Sequence, residues 1–186
     1  MVGRTAHDDA SLVGPTEVTA DAYLHRISEL RVSIWRERGG LAPDAFPTGR
    51  WHDEFDRLAR HWVMTRNGRL VAAARLSLHE RLEQVPEAFE YLAAGLELAG
   101  TIAAPARLVV STSAAHHGLA SRLVAVREEA AAAAGAAHGL CQASPAVCRL
   151  LLGRGWDRFG PAPRDPRFPE VTFQIMTCSY HAGRNS

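Results

Sequence analysis

Residues 107–123 read RLVVSTSAAHHGLASRL, and how this stretch is read decides the fold. Its opening, Arg107 to Thr112, is a short β-branched run suited to a buried strand. From Gly118 onward the apolar positions Leu119, Leu123, Val126 and Ala130 recur at helical spacing, with Arg122, Arg127, Glu128 and Glu129 between them, until Gly135. Small residues, two histidines and a glycine therefore join a strand to a helix. One reading of the junction is a plain tight turn. The other is a cradle for a phosphorylated ligand, because a helix N-terminus leaves amide hydrogens unpaired and carries the positive end of the macrodipole.

Upstream, Tyr23, Ile27, Leu30, Ile34 and Trp35 predict an amphipathic helix over Ala20–Arg38, stopped by Gly39 and Gly40. The glycines and prolines of residues 39–51 exclude regular structure, and a short acidic and aromatic segment, WHDEFDRLA, follows. Asn67-Gly68 between the apolar runs His61–Thr65 and Arg69–Leu78 predicts a hairpin. A helical stretch is expected from about Leu82 to Leu98. Downstream come a strand at His138–Ala143, a helix over Pro145–Leu152 opened by Ser144, and closing strands at Trp156–Phe159 and Val171–Cys178. That order predicts an α/β fold, a mixed sheet with helices on both faces.

The 186 residues, 47% of them hydrophobic, suit one core, and we expect a single domain over 18–182 after a disordered segment at 1–17. A formal charge of +1 gives no field to hold a polyanion, so nucleic acid is a poor default partner. No apolar run approaches the roughly 20 residues that cross a bilayer, and residues 1–17 lack the apolar core of a secretion signal, so no membrane association and a cytoplasmic location are expected. Cys141, Cys148 and Cys178 are odd in number, which fits reduced thiols. His116, His117, His138, Cys141 and Cys148 match no zinc spacing, and no metal is expected.

The strand, loop and helix around Gly118, followed by SPAVCRLLLGRGW and a final strand, resemble the core of the GNAT superfamily of N-acyltransferases. The family signature, Arg or Gln, two residues, Gly, one residue, then Gly or Ala, falls on Ala115, His116, His117, Gly118, Leu119 and Ala120, with Ala115 in place of the Arg or Gln. The resemblance implies a mixed, mostly antiparallel sheet and a coenzyme A thioester, acetyl or longer, as co-substrate. It would be held by Leu108, Val109, Val110, Ser111 and the segment from Ala115 through Ser121 and Arg122. The acceptor would be the amine of a small molecule.

The N-terminal half resembles a narrower branch, the autoinducer and N-acyl amino acid synthases, through ELRVSIW, DEFD, AARL and ARLVV. By that resemblance Arg31, Trp35, Asp56, Arg75 and Arg107 fall on functional positions, and Trp51 and Asp53 stand beside them. Ala104 replaces the Glu that homoserine-lactone synthases carry three residues before the last Arg. In this branch a carrier protein can deliver the acyl chain, and a basic patch near Arg122, Arg127, Arg149 and Arg154 would receive it. A third reading is a fold that binds ligand without turnover. The oligomeric state is left at monomer or homodimer.

Acyl transfer needs a neutral amine beside a thioester, a donor for the oxyanion and a proton for the leaving thiolate. Leu151 stands where the superfamily often has a Tyr acid, so Cys148, Ser144 or water would substitute; the alternative for Cys148 is an inert core thiol. Asp53 and Asp56 either orient the amine or take its proton, or cap a helix. Arg31 and Arg75 either hold a substrate carboxylate or pair with those acids. Trp35 and Trp51 are core or pocket wall.

Overall fold

The hairpin at Asn67-Gly68 anchors the sheet: both residues have positive φ, 51° and 74°, as a two-residue primed turn requires. In the computed structural model, which describes residues 11–115 and 117–180, it joins β2 (Arg60–Arg66) to β3 (Arg69–His79). The other strands are β1 (Leu12–Val18), β4 (Ile102–Val110), β5 (His138–Ala143), β6 (Asp157–Pro161) and β7 (Gln174–Ser179). They form one sheet in the order β1-β2-β3-β4-β5-β7-β6, antiparallel throughout except for the parallel β4–β5 pair.

The helices are α1 (Ala20–Glu37), α2 (Ala88–Ala93), α3 (Leu119–Ala133) and α4 (Pro145–Leu152). On one face α1 packs Ile27 and Ile34 on Val63, Ala73 and Val109, and Tyr91 of α2 joins Ile102, Ala104, Leu140 and Ile175. On the other face Leu119 and Leu123 of α3 meet Trp62, Met64, Ala72, Ala74 and Ala103, while α4 sets Cys148 and Leu151 against Cys141, Ala143 and Met176. The mixed, mostly antiparallel sheet with helices on both faces follows the expectation from the element order.

Two expectations are corrected. Leu12–Val18 is a strand paired with β2 rather than part of a disordered segment; Gly14 and Pro15 fit an irregularity in the register between Val13 and Thr16, so their presence did not exclude a strand. Residues 1–10 lie outside the described residues. The helix expected over 82–98 breaks into a turn at Leu82–Gln84 and the short α2, because Pro86 stands between them and Gly95, at φ 78°, follows the second. Among the described residues no helix is long and apolar enough to cross a membrane.

Two departures from regular pairing create the site. β4 and β5 pair only at Ile102–His138 and Ala103–Gly139, then separate, β4 continuing along β3 to Val110 and β5 along β7 to Ala143. Pro105, which has no amide hydrogen to give a ladder, stands just past the point of separation. The register of β4 against β3 also slips, since Ala106 faces Arg75 whereas Val109 faces Ala73, so Arg107 and Leu108 together oppose Ala74. Arg107 occupies this bulge at φ 55°, a left-handed conformation that costs a non-glycine residue about 1 kcal/mol or more. The slip also exchanges the faces: Ile102 and Ala104 before the bulge and Val109 after it point to the α1–α2 side.

Candidate active site

The gap between β4 and β5 opens into a cleft. Ala104 to Leu108 line one wall, Leu140 to Ala143 with Ser144, Val147 and Leu151 the other, and Trp35, Trp51, Phe168 and Phe173 close one end. Those aromatics form a packed group, Trp35 edge-on to Phe168 at 4.8 Å between centroids and Trp51 at 5.1 Å from Phe168. Glu87, Glu90, Tyr91, Asp165 and Arg167 supply polar groups, and Arg127 reaches the cleft from α3.

The Ser111 amide bonds the Val71 carbonyl at 2.8 Å. Because amides alternate in direction along an antiparallel strand, Val109 then bonds β3, while Leu108 and Val110 turn their amides toward the gap. Past the strand, Gly118 caps α3 at φ 69°, and a side chain there would meet nothing within 4 Å. No carbonyl among the described residues accepts from the amides of Leu119 or Ser121, the pattern of a helix first turn. His117 is exposed, Ala115, Ala120 and Ser121 are half-buried, and His116 lies outside the described residues. Arg122 is exposed and donates to the Gly14 carbonyl of β1. Of the described residues expected to hold the co-substrate, Leu108 lines the cleft, and the rest, from Val109 to Arg122, follow it along the chain outside that lining.

The acids and arginines of the N-terminal half form one network beside the cleft. Asp53 caps the turn Glu54–Arg57 in reciprocal fashion: its carboxylate accepts from the Phe55 amide, and its own amide donates to Asp56 at 3.0 Å. Arg31 grips both oxygens of Asp56 at 2.9 Å and donates to the Trp51 carbonyl at 3.0 Å. Arg75 lies 3.1 Å from Asp56 and 2.5 Å from Asp53. Arg107 joins Asp53 at 2.7 Å to Glu87 at 3.4 Å and lies over the Trp51 ring at 4.3 Å. Arg31, Arg75 and Asp56 have no exposed surface.

This geometry corrects several expected roles. Burial alone would raise the Asp56 carboxyl, but the Arg31 hydrogen bonds and charge, with Arg75 behind them, hold it far below the usual carboxylate range. Such a group is a permanent anion without access to the cleft and takes no proton from an amine. Arg31 and Arg75 spend their charge on Asp56 and Asp53, tying the segment before β2 to the sheet, so neither faces the cleft to hold a substrate carboxylate. Arg107, Trp35 and Trp51 do line it. Asp53, a quarter exposed, is held on both oxygens by Arg75 and Arg107. Cys148 is 1% exposed, its thiol raised by burial and donating to the Ala143 carbonyl at 3.3 Å, which makes it a core residue rather than an acid. Ser144 lines the cleft as the cap of α4, with no side-chain capping bond. The expected basic patch loses Arg127, buried in α3, and Arg154, paired with Glu128 at 2.5 Å.

The sequence reading missed Tyr91, Glu90 and the buried side of Arg127. The Tyr91 phenol is 3% exposed and raised well above its ordinary value by burial, so it stays protonated. Glu90 accepts from the Gln142 amide across the cleft and makes no ion pair among the described residues. Pro86 and Gly95 flanking such a short helix were the available signal that this segment turns inward rather than running on.

The sequence profile of the acetyltransferase (GNAT) family matches residues 24–151. No curated protein matches significantly. Among solved structures, the N-acyl amino acid synthase FeeM from uncultured soil microbes superposes with a TM-score of 0.66 at 11% identity, over 89% of this chain and 88% of that one. The CoA-dependent acyl-homoserine lactone synthase MesI gives 0.64 at 21% identity, again over 89% and 88%. A GCN5-related N-acetyltransferase from Ralstonia eutropha JMP134 gives 0.55 at 21% identity, over 76% and 90%.

Proposed function

The chain belongs to the acetyltransferase (GNAT) family and is an acyltransferase, and from that premise we propose that it transfers an acyl group directly from a coenzyme A thioester to the amine of a small molecule. The observation that carries the reading is the parting of β4 from β5 after Ala103, which opens a cleft along Ala104 to Leu108, the stretch of β4 that runs on toward the first turn of α3. The diphosphate of coenzyme A would sit on the first turn of α3, where Gly118 leaves open space. The pantetheine arm would follow β4 through the gap, and a β4 amide would donate to the thioester carbonyl oxygen.

The acceptor amine would enter between the aromatic group and α2. With Asp53 and Asp56 held by arginines, Glu90 is the cleft carboxylate free to orient an ammonium and receive its proton. Ser144 and Tyr91 supply the hydroxyl groups of the lining. Transfer is direct, and Cys148, sealed in the core, takes no part as a nucleophile.

Saturating coenzyme A is expected to raise the melting temperature, and Gly118→Glu, which sets a carboxylate against the diphosphate, is expected to abolish that rise. An unchanged melting curve of the unmodified protein would contradict the reading. A second reading, delivery of the acyl chain by a carrier protein to an amino acid or related amine, draws support from the way Arg31, Asp56, Arg75 and Arg107 assemble as one network. Side-by-side turnover of acyl-carrier and acyl-coenzyme A donors separates the two.

A further inference from the structure

Arg127 is a buried charge in a helix that has little need of one. It lies on α3 amid alanine, valine and leucine and is 4% exposed. Among the described residues its hydrogen bonds go to backbone carbonyls: Nε donates to Leu123 at 2.9 Å, and Nη1 donates to Arg75 and Ala106 at 3.3 Å each. Arg75 and Ala106 face each other at the β4 bulge, so Arg127 pins the bulge from the α3 side. Its remaining nitrogen, Nη2, has no partner among the described residues, and the side chain lines the cleft.

The cleft holds two other arginines, and each has a carboxylate: Arg107 has Asp53 and Glu87, and Arg167 has Asp165. Arg127 makes no ion pair among the described residues. The acidic groups around it do not serve: the Cys141 thiol on β5 is pushed up to about 12 by burial, the Tyr180 phenol beyond β7 is also raised by burial, and the Glu128 carboxylate is taken by Arg154 and by the Trp156 indole at 2.7 Å. Burial brings Arg127 itself down to about 10, so it is a cation at neutral pH. A buried cation without an anion destabilises the free protein, and an apolar side chain of similar volume would avoid that.

We propose that Arg127 receives the negative charge that develops on the departing sulfur of the thioester, making it a catalytic residue of the transfer. This rests on the coenzyme A reading above. As the amine nitrogen attacks the carbonyl carbon, the carbon–nitrogen bond forms. The carbon–sulfur bond breaks with its electron pair going to sulfur, and the proton that nitrogen sheds to Glu90 reaches sulfur through solvent, leaving an amide and a free thiol. Leu151, Val147 and Leu140 border the cleft without a proton to offer, and the Ser144 and Tyr91 hydroxyls are weaker acids than a thiol, so a fixed cation lets sulfur leave before it is protonated.

The test titrates the thiol of coenzyme A bound to the full-length protein, following thiolate absorbance in the ultraviolet with unliganded protein subtracted. Bound to the wild type, the thiol is expected to ionise about one unit or more below free coenzyme A, an effect in the range an adjacent opposite charge produces. Arg127→Met is expected to remove the shift while coenzyme A still binds, and Arg127→Lys to keep part of it. In turnover, Arg127→Met is expected to lower kcat by about 10²-fold with little change in KM for the thioester. A wild-type thiol that ionises at or above the free value overturns the proposal whether or not any variant folds. So does an unchanged shift in Arg127→Met. Failure of the wild type to bind coenzyme A in calorimetry would instead overturn the reading on which the proposal rests.

Discussion

Two groups of buried charge lie on opposite faces of the same sheet, and they are built differently. Beneath α1, Arg31, Arg75 and Arg107 meet Asp53, Asp56 and Glu87, and charge balances within the group. Beneath α3, Arg127 donates to carbonyl oxygens and has no ion pair among the described residues. Both reach the β4 bulge, one through Arg107 within it and the other through the carbonyls of Arg75 and Ala106 beside it. A balanced group holds structure, because each member leaves a costly orphan if its partner goes. An unbalanced one is suited to a partner that comes and goes with the reaction.

The comparison makes its largest prediction for stability without ligand. Asp56→Ala strands Arg31 among buried groups and is expected to lose about 3–5 kcal/mol in chemical denaturation. Arg127→Met loses carbonyl contacts but also removes an unbalanced charge, and its loss is expected near 1 kcal/mol. Equal losses would break the distinction.

The second prediction concerns turnover. Glu90→Gln keeps the size and polarity of the side chain but cannot accept the amine proton, so the rate is expected to fall about 10²-fold near neutral pH. Folding should be nearly unchanged, since Glu90 makes no ion pair among the described residues. A fully active variant would remove Glu90 from the chemistry and point to solvent as the base.

The smallest effect is in the pH dependence, and it belongs to the α1 face. His61 is fully buried, contacts the Asp56 carbonyl at 2.7 Å through Nε2 and is lowered by burial; His79 is lowered by burial and by Arg75. The unfolded chain takes up protons below about pH 6.5 that the folded chain refuses. Stability is therefore expected to be full above that pH and to fall toward pH 5, by at most about 1.4 kcal/mol per unit for each proton refused. His61→Gln should flatten the slope, and an unaltered slope would remove His61 from the account.

Much of the fold was legible because it depends on local signals. Asn67-Gly68 announced the hairpin, and Ser144-Pro145 opened α4 where expected. The strand-to-helix junction at Gly118 marked the start of α3. The breaks were harder: α2 is short because of Pro86 and Gly95, and β1 tolerates Gly14 and Pro15 at an irregular register, facts set by a partner strand and not by the segment.

The site was legible only in part. Trp35, Trp51, Arg107 and Ser144 do reach the cleft. Whether Arg31 and Asp56 face a substrate or each other depends on a contact across 25 residues that no periodicity encodes. Arg127 was hidden by its own helix, where alanine on every side blurs the buried and solvated faces and a charge reads as surface. Glu90 drew no attention because its partner, Gln142, comes from a distant strand.

Amide hydrogen exchange with and without coenzyme A tests the central claim most directly. Slowed exchange is predicted together at Leu108 and Val110 on the open edge of β4 and at Leu119 and Ser121 in the first turn of α3, with little change in the network around Asp56. Exchange unaltered at all four amides while the ligand is bound would place coenzyme A elsewhere and contradict the account.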